Sequence, residues 1–182
     1  MKNLNPVAVG KSMIPKAHHI VPYLTPDEVN MIAETARNDN RNGERNSLLV
    51  RLLFETGLRI SEALSLTPRL IGEHEGHAVL YIKGKGNKPR MVACPDALAY
   101  RIKSYAYTKK LELDDKILDI NRQRAWQIVK YYAQKAGIKK KVYPHLFRHS
   151  DAIERLRQTG NPKALQYHLG TNADRSFFET FD

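Results

Sequence analysis

The segment RNSLLVRLLFETG, residues 45–57, places apolar side chains at Leu48, Leu49, Val50, Leu52, Leu53 and Phe54. At 3.6 residues per turn these positions point to nearly every side of a helix, which leaves no face for water. Such a helix is expected in the core, covered by other elements. Gly57 stands where a glycine in left-handed conformation would end it.

The flanking segments supply the covering elements. LTPDEVNMIAETARN predicts an amphipathic helix: Thr25 is the N-cap, Pro26 takes the first helical position and Glu28 completes a capping box. Val29, Ile32, Ala33 and Ala36 fall on its inner face. LRISEALSL predicts a short helix. HAVLYIKGKGNKPRMVAC changes character: strand-forming residues around Val79 and Tyr81, turn chemistry in GKGN and a return strand at Met91 to Ala93 predict one hairpin. Helices are then expected in PDALAYRIKSYAY, in NRQRAWQIVKYYAQKAG with Asn121 as cap and Gly137 as terminator, from about Pro144 to Gln158, and from Pro162 to Leu169. The expected fold is mainly α with a small antiparallel β-hairpin or sheet. At 182 residues the chain suits one domain, assigned to residues 21–182. Residues 1–20, with Pro6, Gly10, Pro15 and no hydrophobic period, read as a linker or N-terminal arm.

Charge narrows the partners. The chain carries 30 Lys and Arg against 19 Asp and Glu, for a formal net charge of +11. Residues 101–148 hold thirteen basic and four acidic side chains, whereas residues 151–182 hold four basic and five acidic ones. A localised basic surface suits a polyanion, because neutralising phosphates releases counterions. A merely soluble basic protein is the plainer alternative. Cys94 is the single cysteine, so no intrachain disulfide can form and a thiolate zinc site is excluded. With no apolar run of membrane-spanning length and no signal-like N-terminus, a cytoplasmic location and no membrane partner are expected.

Three places carry candidate chemistry. Arg59 follows a glycine break at a helix start, where its planar fork and nearby backbone N–H groups suit a phosphate. A surface arginine paired with Glu62 explains it equally simply. Lys85 lies in KGKGNKPR at the hairpin tip, among Lys83, Lys88 and Arg90; a lysine there can deliver a proton to a leaving oxygen. For Lys83, Lys88 and Arg90 the expectation is a solvated basic turn that touches a nucleic-acid backbone. HLFRH places His145 and His149 one helical turn apart with Arg148 between them. A zinc reading lacks the Glu that a metalloprotease motif requires after its first His, since that position is Leu146, and no metal is expected. His145 and Arg148 fit two donors aimed at one phosphate.

TGLRISEALSL, IKGKGNKPRMV and HLFRHSDAIERLRQTGNPKALQYHLG, in this order and spacing, resemble the catalytic domain of the tyrosine recombinases, the phage-integrase family. The resemblance covers about residues 20–170 and implies a partner, double-stranded DNA, with a possible homo-oligomer on it. It implies that Arg59 and Arg148 hold the non-bridging oxygens of a scissile phosphate. Lys85 would protonate the 5′ leaving oxygen, His145 would act on the nucleophile's proton or on the phosphate, and Glu62 would orient the set. The activity implied is DNA strand cleavage and rejoining through a 3′-phosphotyrosyl bond, as in a site-specific recombinase or integrase, with no cofactor, metal or ATP.

The sequence departs from the family pattern after Gly170. Thr171 stands where the family has a histidine or tryptophan, and His168 lies three positions earlier. The nucleophile is expected at or beside Thr180 and Phe181, yet no tyrosine follows Tyr167, and phenylalanine has no attacking oxygen. The chain is therefore expected to be a catalytic domain incomplete at its C-terminal end and inactive for cleavage. A truncated or frameshifted tail, a Tyr-to-Phe change at Phe181 and a natural non-cutting relative are the competing explanations. A non-catalytic DNA-binding remnant or regulator of recombination is the alternative function. A helical RNA-binding domain using Trp126, Tyr131 and Tyr132 is a third reading. No core-binding domain fits into residues 1–20, so DNA binding is expected to be weak and strongly salt-dependent.

Overall fold

The computed structural model describes residues 22–39, 41–83 and 89–169. Seven helices and a small sheet follow one another among these residues: α1 (Pro26–Arg37), α2 (Gly43–Glu55), α3 (Ile60–Leu64), a 3₁₀ turn (Pro68–Leu70), β1 (Ile71–His74), β2 (His77–Lys83), β3 (Pro89–Ala93), α4 (Asp96–Thr108), α5 (Arg122–Lys135), α6 (Pro144–Thr159) and α7 (Pro162–Leu169). The N-terminal arm expected for residues 1–20, and the segment from Gly170 onward, lie outside the described residues.

The fold is arranged around α2. Leu48, Leu49, Val50, Leu52 and Leu53 are fully buried, and α2 touches α1, α3, α4, α5 and α6. The helix begins at Gly43, two residues before the apolar run suggested. A β-carbon at Gly43 would fall 2.1 Å from the Arg37 carbonyl oxygen, so only glycine lets α2 start this close to α1. The polar side of α2 faces α1: Arg51 donates to Asn30 and Glu34 at 2.9 Å, and to Glu55 at 3.1 Å.

Helix α1 forms as its sequence requires. Thr25 Oγ1 accepts from the Glu28 N–H at 3.2 Å and the Glu28 carboxylate accepts from the Thr25 N–H at 2.8 Å, which is the full capping box. Val29, Ile32, Ala33 and Ala36 are buried. Burying Val29 and Ile32 together stabilises the domain by roughly 3–6 kcal/mol before ordering entropy.

The sheet has three antiparallel strands in the order β1-β2-β3, one more than the single hairpin expected. Val79 pairs with Ala93 and Tyr81 with Met91, as the predicted return strand requires. The added strand, β1, is only four residues long and turns into β2 through Glu75 and Gly76, both at positive φ (51° and 79°). Two successive positive-φ residues make the twisted two-residue turn that hairpins favour, but Glu-Gly lacks the Asn-Gly or Asp-Gly signature by which it is recognised.

The core is one large apolar cluster spanning α1 to α6 and the sheet, and a separate small one. The small one joins Ala152 of α6 to Leu165 and Leu169 of α7, with Leu156 at its edge. Helix α7 is thus fastened by few apolar contacts, and what else holds it bears on the site.

Candidate phosphate site and nucleic-acid interface

At the end of α2 the chain turns through Gly57, whose φ is +59°. The turn brings Arg59 to the N-cap of α3 in extended conformation. Glu62, one turn on, folds back beneath it. Its Oε2 accepts from the Arg59 backbone N–H at 2.8 Å, and its Oε1 from Arg59 Nη1 at 3.0 Å. Arg90, at the start of β3, donates Nη1 and Nη2 to the same carboxylate at 3.0 and 2.9 Å. Glu62 is only 7% exposed, and burial alone would push its carboxyl up. The hydrogen bonds and charges of Arg90 and Arg59 outweigh that and hold it below its ordinary range.

This corrects the expectation for Arg90. It is not part of a solvated turn: its side chain is 14% exposed and its Nη1 and Nη2 pair with Glu62, while its Nε is buried without a hydrogen-bond partner among the described residues. Arg59 pairs with Glu62, as the simpler sequence reading expects, and it also lines the groove described below. Lys83 is exposed at the end of β2, opposite Pro89. Lys85 and Lys88, like Thr171, Thr180 and Phe181, lie outside the described residues.

Pro144 opens α6 at its first position and His145, exposed, follows. Arg148 lies one turn further in and is 5% exposed. Its Nη1 donates to the Gly57 carbonyl and its Nη2 to the Leu169 carbonyl at 2.7 Å. Two of its five N–H groups are so taken, which fixes the plane of the guanidinium and leaves the others for a ligand. Burial lowers its pKa to about 10, helped by the Arg59 and Arg90 charges and opposed by Glu62 and Asp151. It remains a cation at neutral pH. His149 is partly buried, and burial, then the neighbouring His145, lower its pKa.

Arg59, His145 and Arg148 converge on one open groove of about 940 Å³. Arg122 and Trp126 from the first half of α5, and Lys141 from the connection into α6, line the same groove. Sequence reasoning did not select Arg122 or Lys141 for the site. Their signals were the N-cap at Asn121, which fixes where α5 begins, and the basic excess of residues 101–148. Trp126 is 42% exposed with Lys130 above its ring at 5.1 Å, whereas Tyr132 is buried and donates its hydroxyl to Asp39 at 2.8 Å. The three aromatics weighed for RNA stacking therefore do not share one surface. Three arginines, a lysine and a histidine around one groove, braced from behind by a buried carboxylate, are chemistry for a phosphate-bearing ligand.

The phage integrase family profile matches residues 22–176, a span that includes every described residue. This chain belongs to the phage integrase family. Among curated members of the family, the tyrosine recombinase XerD of Staphylococcus epidermidis is 31% identical over 155 residues, covering 79% of this chain and 52% of that protein. The chain thus spans about half the length of the curated relatives it matches. Among solved structures, the XerH site-specific recombinase bound to palindromic difH substrate superimposes with a TM-score of 0.76 at 22% identity, covering 88% of this chain and 49% of that one. The catalytic domain of bacteriophage HP1 integrase gives 0.66 at 18% identity, covering 87% and 85%. The fold described above is therefore that of a tyrosine recombinase catalytic domain. No helix among the described residues is long and apolar enough to cross a membrane.

Proposed function

We propose that this domain, residues 21–182, binds double-stranded DNA and presents one phosphodiester to Arg59, His145 and Arg148, as the catalytic unit of a site-specific recombinase. The observation that carries this reading is the convergence of Arg59, His145 and Arg148 on a groove that Arg122 and Lys141 also line. The XerH and lambda integrase structures in the family are complexes with DNA. In this reading Arg59 and Arg148 take the non-bridging oxygens and stabilise the charge that grows as the phosphorus becomes five-coordinate. Fixed donors cost no reorganisation during reaction, and the two carbonyls on Arg148 with the carboxylate behind Arg59 supply that fixity. His145, exposed at the start of α6, is assigned the attacking hydroxyl's proton or a phosphate oxygen. Lys85 is assigned the leaving 5′ oxygen.

Cleavage further requires a nucleophile, and the positions at which the family resemblance places it hold Thr180 and Phe181. That observation favours a second reading, a DNA-binding relative that occupies sites without cutting them. The two readings separate in a nicked suicide duplex carrying a candidate attachment site. The second reading expects retained binding and no denaturant-resistant protein–DNA band. A covalent band lost in Tyr167→Phe would establish cleavage by that residue. Absence of both binding and a band would remove the groove's assignment.

A further inference from the structure

Behind Arg148 lies a charged node for which the phosphate chemistry has no use. Arg148, Asp151 and Arg155 recur along α6 at three- and four-residue spacing and share one face. Asp151 is 3% exposed. Its Oδ1 accepts from Arg155 Nε at 2.7 Å, and Arg155 Nη2 donates to the Glu55 carbonyl at the end of α2, also at 2.7 Å. Its Oδ2 faces two other parts of the fold. His168 Nε2 of α7 lies 3.4 Å away, and a β-carbon on Gly57 would fall 2.3 Å from the same oxygen. Asp151 Oδ2 and His168 Nε2 are both buried and make no hydrogen bond in this arrangement.

The neighbours of this carboxylate are the parts that hold Arg148. Gly57, against which Oδ2 packs, gives its carbonyl to Arg148 Nη1, and Leu169, next to His168 in the chain, gives its carbonyl to Nη2. A buried carboxylate costs free energy unless cations or donors surround it. Here α6, α7 and the end of α2 all contribute to that environment, so the carboxylate gathers them around one point. Helix α7 needs such a tie, because its apolar anchorage is limited to Leu165 and Leu169.

We propose that Asp151, together with His168, is a positioning residue of the DNA-binding centre, seating α7 and the Gly57 turn so that Arg148 presents its free N–H groups to the groove. The inference rests on the reading of that groove as a phosphate site. It makes a prediction opposite in sign to simple electrostatics. A carboxylate near a polyanion site repels the ligand, so removing its charge should tighten binding if Asp151 acts only through its field. If it positions Arg148, removing the charge weakens binding.

The test is a double-mutant cycle on the full chain, read by fluorescence anisotropy with a fluorescein-labelled mixed-sequence duplex across a salt series. Asp151→Asn, nearly isosteric, is expected to weaken binding about tenfold. It should also lower the salt slope by roughly one phosphate contact, as Arg148→Ala does. In the Arg148→Ala background the Asp151→Asn effect should vanish. Unchanged or tighter binding by Asp151→Asn, or effects that add to those of Arg148→Ala, would overturn the inference and leave the groove reading standing. Arg148→Ala without effect on affinity or slope would overturn both. Should Asp151→Asn fail to fold, His168→Gln, which leaves Asp151 paired with Arg155, passes through the same cycle with the same outcomes.

Discussion

Replacing Glu62 by glutamine tests how firmly the arginines of the groove are mounted. The carboxylate accepts four hydrogen bonds, two from Arg90 and two from Arg59. Glutamine keeps one acceptor oxygen and turns the other into a donor, so about half of these contacts become donor against donor. A hydrogen bond to a charged group is worth roughly 1.5–3 kcal/mol, and removing one partner of a buried ion pair costs roughly 3–5 kcal/mol. The Arg59 side chain is 36% exposed, so its share is screened and the Arg90 contacts dominate. The expected loss is about 3 kcal/mol, which in a domain of this size lowers Tm by roughly 6–12 °C. Differential scanning calorimetry of the two proteins at neutral pH measures it. The pH dependence follows from the carboxyl being held below its ordinary value of 4.5. A depressed carboxyl contributes its stability above the unfolded pKa and loses it as pH falls through the folded one. The gap between wild type and Glu62→Gln should therefore be full at neutral pH and close progressively below about 4.5. A drop of less than about 2 °C at neutral pH, or a gap that persists undiminished in acid, would refute the mounting.

Other consequences are open to simpler measurements. Gly57→Ala should destabilise the domain by at least about 1–3 kcal/mol in urea unfolding, because alanine would occupy a left-handed conformation and press on Asp151. A smaller loss would mean that the turn relaxes. Arg148→Ala should weaken DNA binding at least about tenfold, whereas Lys109→Ala, whose ammonium lies over the Tyr105 ring away from the groove, should change it less than about threefold. Equal effects would count against a built centre. Arg122→Ala should weaken binding about equally on unrelated duplexes and lower the salt slope by roughly one, and a sequence-dependent loss would instead assign Arg122 to base recognition.

The helices were legible because their signals are local. The Thr25 capping box, the Asn121 cap and the glycines at positions 57 and 137 act within a turn of the chain, and the structure places helix ends within two residues of them. The buried character of α2 was equally plain, since six apolar residues in seven positions admit no other environment. Strand β1 was not legible: IGEH is short, polar at its end, and paired only because the Glu75–Gly76 turn delivers it to β2. The site was half legible. Arg59, His145 and Arg148 stand out by motif, but the partnership of Arg90 with Glu62 links residues 28 positions apart, and only the fold that brings β3 within reach of Glu62 reveals it. Arg122 and Lys141 were two among many basic residues until the fold placed α5 across the groove. Asp151 was hidden for the opposite reason: nothing in its neighbourhood marks a carboxylate that α7 and the turn after α2 will close over.

Both ends of the described chain meet at Arg148. Pro22 lines the groove, Leu24 donates its N–H to Ser150 of α6 at 2.8 Å, and Lys140 holds the Tyr23 carbonyl at 2.8 Å. At the other end the last described carbonyl, that of Leu169, is bound by Arg148 itself. A fluorophore attached at Pro22 would therefore lie in the groove, and its emission would report a ligand bound there.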